Sequence, residues 1–176
     1  MDSSILCITG TRKHIGKTSL ACAIVKYFQN ASIYALKVAG YSDDTLYVHH
    51  PEVDKEIGYL LIREDNPLGE TDSSKMLASG AERAFFLACK AQDVKTRTEA
   101  LMGKYPSSLW VVESNAFASS STNLPYILLW DKDSQVKPSA RPLIEDAPIV
   151  FSSLNEALSN FSGYIHITNH QWILTK

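Results

Sequence analysis

One segment, Gly10-Thr-Arg-Lys-His-Ile-Gly-Lys-Thr18, restricts the possible folds of this chain more than any other feature of its sequence. The apolar run at residues 3–9 precedes it and predicts a buried strand that stops at Gly10. After Gly16, apolar residues recur at helical spacing and predict a helix that ends near Asn30. The expected inner face of that helix consists of Leu20, Ala23, Ile24, Tyr27 and Phe28. The segment is therefore expected to join a strand to a helix in an α/β unit.

A strand-to-helix connection that contains Gly16, Lys17 and Thr18 has the composition of a phosphate-binding loop, or P-loop. Glycines let backbone N–H groups converge on an anion, and a helix N-terminus directs its dipole at it. The lysine reaches the β- and γ-phosphates, and the neighbouring hydroxyl binds Mg²⁺. The usual spacing has four residues between the first glycine and Gly-Lys-Thr, whereas this chain has five. The alternative is a chance Gly-Lys-Thr that only begins a helix.

From this loop we predict binding of a nucleoside triphosphate, GTP or ATP, with Mg²⁺ as the second cofactor and Lys17 as a catalytic residue. The predicted nucleotide-binding residues are those of the loop, the residue after it and one strand-end lysine: Gly10, Thr11, Arg12, Lys13, His14, Ile15, Gly16, Lys17, Thr18, Ser19 and Lys37.

The rest of the chain alternates between strand-like and helix-like runs. Strands are predicted at residues 32–40, 56–64, 83–90, 108–114, 125–130 and 148–152, and helices at 73–81, 93–105 and 153–161. Residues 41–56 are polar and predict a loop, residues 137–147 an irregular or helical connection, and residues 163–176 a hairpin around Asn169 and His170. This alternation predicts a three-layer α/β fold with a mostly parallel, twisted sheet and helices on both faces. The length suits a single domain over residues 1–176.

Composition excludes several classes of protein. A net charge of −2 with 20% charged residues argues against nucleic acid as a partner. No apolar run approaches the roughly 20 residues that span a bilayer, and no basic region precedes the short apolar stretch near the N-terminus, as a signal peptide requires. Cys7, Cys22 and Cys89 are widely spaced among apolar residues, which favours reduced thiols in the core. We therefore expect a cytoplasmic protein without a membrane partner.

Polar residues at strand ends provide further candidates for the site. Glu113 ends the apolar run 109–112 at the carboxyl edge of the sheet, where it can bind Mg²⁺ together with Thr18 and act in catalysis. The alternative is an ordinary solvated acid. Lys37 ends the run 33–36 at the same edge, with a solvated lysine as the alternative.

Asp72 is a third candidate ligand for the metal, but its place before residues 73–81 favours helix capping by Asp72 or Ser73. Asp43 and Asp44 are alternatives for the same metal role, and nothing in their spacing singles them out.

Two families share parts of this pattern. The five-residue spacing of the loop resembles dethiobiotin synthetase. Other pieces resemble the MobB family of accessory GTP-binding proteins in molybdopterin-guanine dinucleotide biosynthesis: Asp72-Ser73 followed by Gly80-Ala81, the sequence VVESN at 111–115 and KPSA at 137–140. The resemblance implies a glutamate after the corresponding strand and a lysine at the end of the second strand, roles that fall on Glu113 and Lys37. Lys37 is followed by Val38, however, where MobB-like proteins have histidine and dethiobiotin synthetase has proline.

The resemblance implies an accessory GTP- or ATP-binding protein, a weak NTPase that assists a partner protein in molybdenum-cofactor biosynthesis. The alternatives are an ATP-dependent ligase like dethiobiotin synthetase and a regulatory or scaffold domain in which the nucleotide only fixes a dimer. The string WDKDS at 130–134 lacks the asparagine of the guanine-reading motif of GTPases, so the sequence predicts no preference for guanine.

The resemblance also predicts a homodimer. In dimeric members of this P-loop class, a lysine at the offset of Arg12 reaches the partner's phosphates, and arginine can supply the same charge. The alternative is an ordinary loop arginine. We expect hydrolysis per monomer to rise with protein concentration and Arg12→Ala to lower turnover more than affinity, because such a residue acts on transition-state charge. A monomer in light scattering together with unchanged turnover in the variant would contradict the prediction.

Overall fold

The computed structural model describes residues 2–54, 56–106 and 108–175, with only the backbone described for residues 2, 43 and 44. The strands in these ranges are β1 (Asp2–Ser3), β2 (Ile5–Gly10), β3 (Ile33–Tyr41), β4 (Tyr59–Glu64), β5 (Arg83–Lys90), β6 (Leu109–Glu113), β7 (Tyr126–Leu129), β8 (Ile149–Phe151), β9 (Ile165–Thr168) and β10 (Gln171–Leu174). The α-helices are α1 (Lys17–Tyr27), α2 (Asp43–His49), α3 (Asp72–Ala78), α4 (Val94–Met102), α5 (Asn115–Ser120) and α6 (Leu154–Asn160). Short 3-10 helices lie at Ala91–Asp93, Pro138–Leu143 and Phe161–Gly163.

A seven-stranded sheet with the order β4-β5-β3-β6-β2-β7-β8 forms the centre of the molecule. All neighbouring strands in it are parallel except β4, which pairs antiparallel with β5 at one edge. The predicted α/β fold with a mostly parallel sheet is therefore confirmed. Because β2, β3 and β6 are parallel neighbours around the centre, the residues at their carboxyl ends meet at one edge of the sheet.

Helices cover both faces of this sheet. Side chains alternate along each strand, so Leu6 and Ile8 of β2 face a core shared with α1 and α6, while Cys7 faces a core shared with α4 and α5. Both cores consist of fully or nearly fully buried aliphatic and aromatic side chains. No helix of the described residues is long and apolar enough to cross a membrane.

The C-terminal strands β9 and β10 form a hairpin, as predicted, and β1 joins them in a small antiparallel sheet. Asn169 and His170 both have positive φ angles, 50° and 61°, as the turn of a two-residue hairpin requires. Trp172 of β10 is fully buried, and its Nε1 donates a hydrogen bond to the Trp110 carbonyl over 3.1 Å. This hydrogen bond attaches the small sheet to β6 of the central sheet, and the Trp172 ring packs in the core shared with α1 and α6.

One local prediction is wrong, one holds except for a single residue, and one helix was not predicted. Residues 43–49, expected in a loop, form α2, which is anchored by fully buried Leu46 against Ala88. Of the predicted inner face of α1, Leu20 and Ile24 are fully buried and Ala23 and Phe28 pack against the same core, but Tyr27 is 59% exposed, and Ala21 and Val25 are also fully buried. Helix α5, which the sequence did not predict, is capped by Ser114, whose hydroxyl accepts a hydrogen bond from the Phe117 N–H.

Candidate functional site

The β2–α1 loop, residues 11–16, needs its two flanking glycines for steric reasons. Gly16 precedes α1 with a φ of 103°, and a Cβ there would lie 2.8 Å from the Leu154 side chain. A Cβ on Gly10 would lie 2.7 Å from Ile15 Cγ2 and 3.2 Å from Lys17 Cγ, because the Lys17 side chain folds back over this residue. No side chain caps the N-terminus of α1, so its first N–H groups are available to an anion.

Asn115 holds the start of this loop, and the sequence analysis gave it no role. Its Oδ1 accepts from the Gly10 N–H over 2.9 Å, and its Nδ2 donates to the Gly10 carbonyl over 2.8 Å. Both backbone groups of Gly10 therefore depend on the first residue of α5. The signal available in the sequence was its position two residues after Glu113, directly beyond the same buried strand.

Thr11 belongs to the scaffold of the loop and not to its surface. The residue is fully buried, and its Oγ1 accepts from the Asp131 N–H over 3.2 Å. Its N–H donates to the Leu129 carbonyl over 3.0 Å, and its carbonyl accepts from the Lys137 N–H over 2.9 Å. The side chain, the N–H and the carbonyl of Thr11 are thus all hydrogen-bonded within the protein, and the residue supports the loop.

A cleft of about 1060 Å³ opens between the N-terminus of α1 and the carboxyl ends of β3 and β6. Most of the predicted site residues line it: Lys13, His14, Gly16, Lys17, Thr18, Ser19, Lys37, Asp72 and Glu113. The remaining predicted residues, Gly10, Thr11, Arg12 and Ile15, lie outside its lining. Cys22, expected in the core, is only half-buried and also lines the cleft, whereas Cys7 and Cys89 are buried, and all three thiols are free.

Two carboxylates share one lysine at the centre of the cleft. Glu113 is 2% exposed, and its Oε2 accepts from the Thr18 hydroxyl over 2.7 Å. Lys37 donates to Glu113 Oε1, and its Nζ lies 3.0 Å from Asp72 Oδ2. Lys17 Nζ lies farther away, 4.0 Å from Glu113 Oε1. Lys37 is therefore the main counterion of both acids.

The pKa values in this cluster follow from that arrangement. Burial acts to lower the pKa of Lys37, but the charges of Glu113 and Asp72 outweigh it, and the pKa is raised. Burial likewise acts to raise the pKa of Asp72, but the charge and hydrogen bond of Lys37 prevail, and the pKa is lowered. For Lys17, burial exceeds the attraction of Glu113, and the charges of Lys37 and Lys137 add to it, so its pKa is lowered.

Asp72 faces this cluster because another residue caps α3. Thr71 is the N-cap, and its Oγ1 accepts from the Ser74 N–H over 3.0 Å, so the predicted capping by Asp72 or Ser73 is wrong. Glu64 of β4 accepts hydrogen bonds from the Thr71 and Ser73 hydroxyls over 2.9 and 3.0 Å. This network fixes the first turn of α3 and leaves the Asp72 carboxylate to Lys37.

Thr18, Glu113 and Asp72 offer the hard oxygen ligands that Mg²⁺ prefers. Among the residues that the structure describes, no group of three or more His, Cys, Asp or Glu is arranged to hold a metal. The side chains of Asp43 and Asp44 lie outside the described part. A magnesium ion at Thr18 would thus depend on further oxygen ligands from phosphate and water, as is usual for this ion.

Arg12 lies beside a smaller cavity of about 400 Å³ that shares His14 and Gly16 with the cleft and is lined also by Asp131 and residues 152–154. Its Nε donates to Asp131 Oδ2 over 2.7 Å, and its side chain is 46% exposed. To reach the phosphates of a second chain it would have to leave this partner. Its role across a dimer stays a prediction.

The cleft is basic although the chain has a net charge of −2. Among the described side chains that line it, five lysines stand against two carboxylates: Lys13, Lys17, Lys37, Lys75 and Lys137 against Asp72 and Glu113. Lys37 engages both acids. The positive charges of the other four lysines are therefore largely left without a neutralising partner in the described lining. Such a cleft suits a ligand with several negative charges.

A scan of protein-family models and searches of curated proteins and of solved structures found no match to this chain. The resemblances to dethiobiotin synthetase and to the MobB family are therefore predictions from the sequence. The functional proposal depends on the chemistry of the cleft.

The lowered pKa of Asp72 predicts a pH-dependent contribution to stability. A carboxyl whose pKa is lower in the folded state than its ordinary 3.8 stabilises the fold above that pH and loses the effect as the pH falls through the folded-state pKa. Asp72→Asn should therefore lower the melting temperature near pH 7, and the difference from the unmodified protein should shrink below about pH 4. Thermal unfolding between pH 7 and pH 3 measures this, with exposed Asp133→Asn as the control. A constant difference across the range would contradict the prediction.

Proposed function

We propose that this chain binds a nucleoside triphosphate, GTP or ATP, with Mg²⁺ in the cleft and hydrolyses it weakly. The observation that carries this proposal is the placement of Lys17 over Gly10, beside a Thr18 hydroxyl that is hydrogen-bonded to buried Glu113. A phosphate chain needs converging N–H groups, a helix N-terminus, a lysine and a metal-binding hydroxyl in one place. The β2–α1 loop and the first turn of α1 provide these groups together.

Each side chain of the cluster has a distinct part in this proposal. Lys17 and the first N–H groups of α1 bind the β- and γ-phosphates, and Thr18 holds Mg²⁺ with Glu113 and Asp72. The ion, when bound, neutralises charge on the phosphates. Lys37 keeps the two carboxylates in position while remaining within the same cleft.

For the cellular role, we propose an accessory nucleotide-binding protein of the MobB type, acting with a molybdenum-cofactor biosynthesis partner in the cytoplasm. Three segments that carry the resemblance, at 72–81, 111–115 and 137–140, all contribute residues to the one cleft: Asp72, Glu113 and Lys137. This convergence supports the proposal, because the segments are far apart in sequence. The three free thiols agree with a reducing compartment.

A dethiobiotin synthetase-like ligase is a second candidate, favoured by the size of the cleft. Its volume of about 1060 Å³ reaches the upper limit of the roughly 300–1,000 Å³ typical of one small-molecule site. Beyond the loop it continues to Tyr41, His49 and Ser79, which leaves room for a second substrate.

ATP consumption that requires both diaminononanoate and bicarbonate would identify the ligase. Phosphate release from ATP or GTP alone would favour the weak NTPase, and binding without release would favour a scaffold.

Lys17→Ala is expected to abolish nucleotide binding while the protein stays folded. The lysine ammonium makes charge-assisted contacts with phosphate worth roughly 1.5–3 kcal/mol each. Burial lowers the pKa of Lys17, so an anion that binds beside it favours its charged form. Calorimetry with ATP and GTP measures the effect, and Lys26→Ala in the last turn of the same helix is the control. Unchanged affinity in a folded Lys17→Ala protein would refute the loop assignment.

Glu113→Gln is expected to reduce metal-dependent hydrolysis far more than metal-free nucleotide binding. The substitution keeps the shape of the side chain but removes a hard, charged oxygen ligand. Phosphate release with Mg²⁺ and nucleotide binding in a chelating buffer give the two quantities, with exposed Glu99→Gln as the control. Equal losses in both would mean that Glu113 has only a structural role.

A further inference from the structure

Lys137 lines the cleft although it lies more than a hundred residues after the β2–α1 loop. It directly precedes the 3-10 helix Pro138–Leu143, and its N–H donates to the Thr11 carbonyl over 2.9 Å. The backbone of this segment is thus attached to the loop. The side chain of Lys137 takes no part in that attachment and extends into the cleft.

None of the acids whose side chains the structure describes serves as a counterion of the Lys137 ammonium group. Asp72 and Glu113, the acids of the cleft, are both engaged by Lys37. No described carboxylate forms a salt bridge with Lys137. Burial lowers the pKa of Lys137, and the charges of Lys13 and Lys37 lower it further against the attraction of Glu113. A partly buried, unpaired cation is unfavourable unless an anion accompanies it.

We propose that Lys137 is a second phosphate-binding lysine, which contacts the terminal phosphate of a triphosphate bound to the same chain. This inference rests on the proposed function of the cleft. Lys137 interacts electrostatically with Lys13, Lys37 and Glu113, and two of these, Lys37 and Glu113, belong to the carboxylate cluster. That cluster is the part of the cleft assigned to Mg²⁺ and the terminal phosphate.

The assignment changes the expected source of positive charge in the site. The dimer prediction has Arg12 of a second copy on the phosphates, but Arg12 is paired with Asp131 beside the adjoining smaller cavity. Lys137 supplies a charge from the same chain and from a segment already attached to the loop. A single copy then provides two lysines, Lys17 and Lys137, for the phosphate chain.

The test compares Lys137→Gln, Lys137→Arg and the control Lys132→Gln. Lys132 belongs to the same connection after β7, but its ammonium group lies over the Trp130 ring and outside the cleft. Calorimetry at constant ionic strength with Mg²⁺ measures the affinity for ATP, ADP, GTP and GDP. Lys137→Gln should weaken triphosphate binding about tenfold or more, equivalent to about 1.4 kcal/mol, and diphosphate binding much less. Lys137→Arg should retain most of the affinity because it keeps the charge.

Thermal unfolding of the nucleotide-free proteins separates a binding role from a structural one. Removing an unpaired, partly buried charge should leave the melting temperature of Lys137→Gln unchanged or higher. A lower melting temperature, or a protein that does not fold, would overturn the proposal, because Lys137 would then be a structural residue.

The calorimetric outcomes separate this inference from the proposed function. If the unmodified protein binds no triphosphate, the proposed function fails and the assignment of Lys137 fails with it. If the unmodified protein binds but Lys137→Gln matches Lys132→Gln, only the Lys137 assignment is overturned. Equal losses for triphosphates and diphosphates would overturn its placement at the terminal phosphate.

Discussion

The contact of Lys37 with Glu113 and Asp72 determines the character of the whole cleft. Strands β3 and β6 are parallel neighbours, and their register pairs Lys37 directly with Glu113. Glu113 is almost fully buried, and removing one partner of a buried ion pair typically costs about 3–5 kcal/mol. Lys37 and the Thr18 hydroxyl satisfy this carboxylate from two sides. Because Lys37 also engages Asp72, neither acid of the described cleft lining pairs with Lys137, and Lys17 Nζ lies 4.0 Å from the same Glu113 oxygen that Lys37 already contacts.

This arrangement leaves the free protein with positive charges that it does not neutralise. Lys17 and Lys137 both have lowered pKa values, for which burial is the largest cause. Proteins keep such locally unfavourable groups chiefly at functional sites, where a ligand compensates for them. The glycines around the loop also serve the site, since Gly10 and Gly16 allow the side chains of Lys17 and Leu154 to approach the backbone closely.

The sequence was sufficient for the parts of the site that depend on local pattern. Strand ends in a parallel sheet share an edge, so the sequence alone predicted that Glu113 and Lys37 lie close together, as it predicted the strand-to-helix connection and the α/β fold. Capping of α3 could not be settled, because Thr71, Asp72 and Ser73 are all competent caps and Glu64 of another strand decides among them.

Asn115 and Lys137 were missed for a similar reason, since each contacts loop backbone far away in the sequence. Helix α2 was missed because its apolar pattern reduces to one deeply buried residue, Leu46.

Proton uptake on triphosphate binding tests the central electrostatic claim most directly. An anion that enters the cleft must raise the pKa of Lys17 and Lys137 from their lowered values, so both groups take up protons at alkaline pH. Calorimetric titration at a series of pH values from about 8 upwards, where phosphate groups with a second pKa near 6 are fully ionised, isolates this effect. Repeating it in buffers of different ionisation enthalpy gives the number of protons exchanged. The account predicts net proton uptake with ATP or GTP, and binding without uptake, or no binding at all, would contradict it.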